Sequence, residues 1–201
     1  MAEYQRGVDI ARRPWQRRIE VYSPKLGRRV TFFSQAAREA WLLLESDPTV
    51  KRFCERPEHV GEASGRVIDF WVDTGRRESF WLIETGEERH EAWPKKLHGL
   101  SLRVMRSEEL LAHSTRIRNW SQIVPYLVSF TRYQNRTLQQ DLLHRLAKPY
   151  RLHGLEKEFH PVDTAAVRAA LFALLAAGKV VAPELERVAL SGQSLFRRVS
   201  R

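Results

Sequence analysis

The hydrophobic period of this chain changes once, and that change limits its possible folds more than any other feature. Through about Met105, apolar residues come in short runs bounded by turn residues, as in strands; from Ser107 they recur every three to four positions, as in helices. Such a chain is expected to fold as a sheet-bearing part followed by a helical part. Its 201 residues supply enough core for one large or two small domains. The boundaries expected are a basic arm over residues 1–18, an α/β domain over 19–106 and a helical domain over 107–201.

Residues 19–22 alternate, Ser23-Pro24-Lys25-Leu26-Gly27 supplies turn residues, and 28–33 follows as a second strand, which predicts a hairpin. Ser34 is placed to cap a helix over 35–45, whose Ala37, Ala40, Trp41 and Leu44 share one face; Asp47-Pro48 ends it. Short strands are expected over 50–53 and 58–62. Two stronger strands, 66–72 and 79–84, are joined by Asp73-Thr74-Gly75-Arg76-Arg77, good hairpin chemistry, and another strand covers 100–105. Helices then cover 107–113, 115–132, 136–146 and 163–177, the last stopped by Gly178. Segments 179–182, 187–190 and 194–198 suggest a small hairpin. Helices followed by a hairpin are the order of a winged-helix module; a helical bundle with an irregular tail is the competing reading.

Charge is the first clue to function. Lys and Arg number 34 against 24 acids, a formal charge of +10. A strongly basic chain is drawn to polyanions by counterion release, and the guanidinium fork can meet a phosphate through two parallel hydrogen bonds. The run Arg12-Arg13-Pro14-Trp15-Gln16-Arg17-Arg18 fits an arm lying on DNA. Arg28, Arg29, Lys95, Lys96, Arg197 and Arg198 are further candidate DNA contacts. Solvated charge on a lone domain is the alternative. No run approaches the ~20 apolar residues that span a bilayer, and the first residues lack the apolar centre of a secretory leader. With one cysteine, Cys54, an internal disulfide and a cysteine-rich zinc site are both excluded, so a buried thiol in a reduced, cytoplasmic setting is expected.

Most catalytic signatures are missing. There is no Gly-rich phosphate loop, no HExxH and no GxSxG, and the seven histidines are scattered. One acidic pair stands out. Asp69 sits among apolar neighbours in Arg66-Val67-Ile68-Asp69-Phe70-Trp71-Val72, and Glu84, fifteen positions later, ends the paired strand. Two carboxylates meeting at one end of a hairpin can hold Mg2+, although many hairpins carry an Asp and a Glu.

Several runs resemble TnsA-type transposon endonucleases. Phe33-Ser34-Gln35-Ala36-Ala37-Arg38-Glu39, continuing to Leu44-Glu45-Ser46-Asp47-Pro48, is similar to that family's first motif. Residues 50–57 look like its following strand and Glu-Gln-Pro corner, with Arg56 in place of Gln. Asp69-Phe70 resembles the Pro-Asp-Phe metal strand, and 80–86 the strand ending Val-Glu-Val-Lys. Residues 174–181, 188–190 and 196–198 are similar to the family's tail, so the resemblance spans nearly the whole chain. It implies a restriction-endonuclease-like mixed sheet with flanking helices, followed by a winged-helix-like part. It also implies Mg2+-dependent cutting of transposon 5′ ends in a bacterial cytoplasm, with the protein joining the nucleoid when bound to DNA. The implied partners are double-stranded DNA, a DDE-type transposase and an AAA+ regulator, with no membrane.

The departures matter most. Ala37 stands where the helix metal-binding Glu is expected, Ile68 replaces the motif Pro, and Gly86 replaces the motif Lys. Asp69 and Glu84 persist as a remnant catalytic pair and as the ligands of any Mg2+. Each such electrostatic group is typically worth about 10²–10³ in rate, so the resemblance implies a nuclease fold that does not cut, with no cofactor or only weakly held Mg2+. Glu39, Glu45, Lys95 and Lys96 are the candidates for rescue. Three readings follow: a non-cutting TnsA-like subunit that binds transposon ends and partners, an active Mg2+-dependent endonuclease with migrated residues, and a stand-alone DNA-binding regulator using the helical half.

Overall fold

β1 (Ile19–Ser23) and β2 (Arg28–Phe32) form the first hairpin, with Ile19 opposite Phe32 and Ser23 opposite Arg28. Its turn needs a left-handed residue and finds one in Gly27, at φ +65°. α1 (Gln35–Ser46) starts where expected: Ser34 Oγ accepts the Ala37 N–H at 3.1 Å. The computed structural model describes residues 4–9, 17–60, 66–84, 93–130 and 135–200. The chain divides into two compact units, residues 1–44 with 49–112 and residues 45–48 with 113–201.

The first unit is built on β3 (Arg52–Glu55), β4 (Phe70–Asp73), β5 (Glu78–Glu84), β6 (Lys96–Leu97) and β7 (Leu100–Arg106). In the sheet their order is β3-β4-β5-β7-β6. β3–β4, β4–β5 and β7–β6 are antiparallel, whereas β5 and β7 run parallel, so the sheet is mixed. Alternation sorts the side chains. Cys54, Trp71, Phe80 and Leu82 pack on one face with Val60 and Ile68. Phe53 and Phe70 meet on the other, where Phe32 lies between Phe70 and Trp41 of α1. α2 (Ser107–Ala112) belongs to this unit, which therefore runs past the boundary expected after Arg106.

Two strand predictions need correction. The strand expected over 66–72 begins only at Phe70, because the Asp69 side chain takes the Ile83 N–H that a longer ladder would use. The strand expected over 58–62 reduces to a bridge between His59 and Val67, and residues 61–65 lie outside the described residues.

The second unit holds α3 (Ser114–Ser129), α4 (Arg136–Arg145), β8 (Tyr150–Arg151), α5 (Leu152–Glu158), α6 (Thr164–Ala176), β9 (Val180–Val181) and β10 (Leu195–Arg198). Asn135 caps α4 through the Leu138 N–H, and Asp163 caps α6 through the Ala165 N–H. Gly178, at φ +68°, follows the end of α6. The three strands form an antiparallel sheet in the order β8-β10-β9. Residues 187–190, expected as a strand, are not one. The buried Asn119 takes their hydrogen bonds: Nδ2 donates to the Leu185 and Val188 carbonyls, and Oδ1 accepts the Leu190 N–H, each at 2.8 Å. Among the described residues no helix is long and apolar enough to cross a membrane.

Candidate functional site

Asp69 precedes β4 directly, and Glu84 is the last residue of β5, so the fold brings both acids to one end of a strand pair. Asp69 Oδ2 accepts the N–H of Ile83, the neighbour of Glu84, at 2.7 Å. Each carboxylate also faces a guanidinium. Arg66 Nη2 donates to Asp69 Oδ2 at 3.1 Å and to the Ile83 carbonyl at 2.8 Å. Arg106 lies directly across from Glu84 on the parallel strand β7, with Nε 3.3 Å from Oε2. Sequence reading missed both arginines. Arg66 left a faint signal, its i,i+3 spacing from Asp69, but Arg106 becomes a neighbour of Glu84 only once the β5–β7 register is known.

Ala37, at the position expected for a third acid, lines the same cleft as Asp69. The cleft holds about 100 Å³ and is also bordered by Ser34, Arg56 and Arg66. Arg56 is unusual. It adopts φ +48°, a left-handed backbone that non-glycine residues rarely take. Its Nε donates to the Val8 carbonyl at 3.2 Å and its Nη1 to the Thr31 carbonyl, while the guanidinium lies 5.2 Å from the Phe33 ring centre. Burial draws its pKa below the usual arginine value, opposed by the nearby charges of Glu55 and Asp9.

Mg2+ takes octahedral oxygen coordination, often from one or two carboxylates plus waters, and the arginines here compete for those carboxylates. Ala37 offers no ligand, Asp69 and Glu84 are each paired with an arginine, and among the described residues no group of three or more His, Cys, Asp or Glu is arranged to hold a metal ion. Of the candidates for rescue, Glu39 accepts from Gln35 Nε2 at 2.9 Å, Glu45 is buried, and Lys95 and Lys96 are exposed.

The predicted DNA contacts differ in availability. Arg17, Arg29, Arg197 and Arg198 are exposed, and Arg18, also exposed, pairs with Glu20. Arg28 is committed elsewhere: Nη1 and Nη2 clasp the two oxygens of the buried Glu55 at 2.8 and 2.7 Å. Arg12, Arg13 and Gly86 lie outside the described residues.

A scan of protein-family models and a search of curated proteins each return no match for this chain.

Proposed function

We propose that this protein is a DNA-binding subunit of a transposition complex, of the TnsA type, whose nuclease-like unit grips DNA without cutting it. One observation carries the reading: Asp69 and Glu84, the acids that the TnsA resemblance assigns to a metal, are each paired with an arginine, Arg66 and Arg106. A cation arriving there would compete with those guanidinium groups for the carboxylate charge. The element order supports the nuclease-like assignment. A helix precedes three antiparallel strands, β7 returns parallel to β5 after the short β6, and the acids sit at the start of β4 and the end of β5.

In the second unit the order α4-β8-α5-α6-β9-β10, with a β8-β10-β9 sheet, supports a winged-helix-like module. Its α6 does not suit base reading. The helix is Thr-Ala-Ala-Val-Arg-Ala-Ala-Leu-Phe-Ala-Leu-Leu-Ala, and its one charged side chain, Arg168, is engaged by Glu156 and Tyr126. Its Val167, Ala169, Ala170, Leu171, Phe172 and Leu174 are buried core, so the helix offers no polar base-reading face. That disfavours a stand-alone regulator reading sequence through it; the DDE-type transposase and AAA+ regulator are proposed on the TnsA resemblance.

Incubating the purified chain with transposon-end duplex, transposase and Mg2+ tests the proposal. Binding without 5′-strand nicks is expected, with affinity falling as salt rises at a log–log slope near −0.9 per phosphate contacted. Nicks abolished by Asp69→Asn or Glu84→Gln, in a variant shown to be folded, would overturn the non-cutting assignment, and salt-insensitive or absent binding would overturn the DNA assignment.

A further inference from the structure

Resting on that DNA-binding reading, we propose that the cleft between Arg56 and Arg66 is a metal-independent clamp for one phosphodiester group of the duplex. Two arginines line it beside one acid, Asp69, which is matched by Arg66 and by the Ile83 N–H. Of the acids near Arg56, Glu55 is clasped by Arg28 and Asp9 does not line the cleft, so Arg56 adds a positive charge to the lining. Two of its five N–H donors are engaged by the Val8 and Thr31 carbonyls, which fix the plane of the guanidinium. Its backbone is fixed as well: the Arg56 N–H donates to the Asp69 carbonyl at 2.9 Å, and the Arg56 carbonyl accepts from Val8.

A half-buried guanidinium held in a left-handed backbone costs stability, and strain of this kind collects at binding sites, where pre-organisation lowers the entropy lost on capture. Partial desolvation strengthens its attraction for an anion. At about 100 Å³ the cleft is far smaller than the roughly 300 Å³ or more of pockets for drug-sized ligands, so it takes a single anionic group rather than a nucleoside.

The full chain is titrated with a short duplex by fluorescence anisotropy across a salt series, once in EDTA and once with Mg2+. The affinity in Mg2+ is expected to be no higher than in EDTA, since Mg2+ competes for the same phosphates. Arg56→Gln is expected to flatten the log–log salt slope by about 0.9, one phosphate contact. Arg66→Met, altered on a different segment, is read in parallel and should flatten it likewise, so that either variant that melts like the parent suffices. A folded variant that binds DNA with the parental slope overturns the clamp but leaves the DNA reading standing, as does affinity that requires Mg2+. Failure of the unaltered chain to bind duplex overturns the DNA reading itself. Inorganic phosphate, titrated against the protein at constant ionic strength, is the last arm. No saturable binding is expected; saturable binding removed by Arg56→Gln would reassign the cleft to a small phosphate compound.

Discussion

Asp69 and Ile83 are joined by a hydrogen bond in which a carboxylate replaces a backbone carbonyl, the Ile83 N–H donating to Asp69 Oδ2 at 2.7 Å. Because Arg66 donates to the same oxygen, Asp69 ties the entry of β4 to the end of β5. An acid in a metal site can be removed with little effect on folding; this one cannot. Asp69→Ala strands a backbone N–H and a guanidinium and is expected to cost about 2–4 kcal/mol. Asp69→Asn keeps an acceptor for Ile83 and should cost about half as much. Urea unfolding at equilibrium measures both, and equal losses would show that the carbonyl-like role of the side chain does not matter.

The shared cleft of Ala37 and Asp69 gives a second expectation. Ala37→Glu alone adds an acid but leaves Arg66 in place to pair with it, so no Mn2+ binding is expected by titration calorimetry. Combining Ala37→Glu with Arg66→Met should produce weak binding, with Kd roughly 10⁻⁴–10⁻³ M, as in sparse oxygen sites. If the single variant binds Mn2+ as well as the double one, Arg66 is not what blocks the metal.

Asn119 satisfies three backbone groups of residues 185–190 at once. Asn119→Ala leaves two carbonyls and one N–H without that partner and is expected to cost about 2–4 kcal/mol. Hydrogen exchange at the Leu190 amide should quicken by more than at amides within α6. Uniform acceleration across the unit would contradict a local clasp.

Burial pushes the Cys54 thiol up to about 12 from its usual value of 9.0. The folded state therefore keeps a proton that the unfolded chain gives up above pH 9. This contribution to stability is complete below that pH and is lost as pH rises toward 12. Cys54→Ala should flatten the alkaline limb of a stability–pH curve. A disulfide reagent at pH 8 should leave the native thiol unmodified and react once urea is added; prompt reaction with the native protein would refute the burial.

Features fixed by local chemistry could be read from the sequence. Ser34 caps α1, Gly178 follows α6 with positive φ, and Asp73 accepts the Gly75 N–H in the β4–β5 turn. β6 and β8 could not be read, since two residues carry no period. Residues 187–190 alternate like a strand, yet one asparagine from a distant helix overrode the pattern. The acid pair was legible as spacing, whereas its partners were not. Glu84 and Arg106 meet through a parallel register that no local run of residues encodes.

β6 also has a bearing on solubility. It is an outer strand of the mixed sheet, only two residues long, and Lys96 within it and Lys95 before it are exposed. An unpaired sheet border invites a neighbouring molecule to add its own strand, and a stub guarded by lysine charge discourages that. These lysines, assigned from sequence to nucleic acid, are thus placed to keep concentrated protein from polymerising edge to edge.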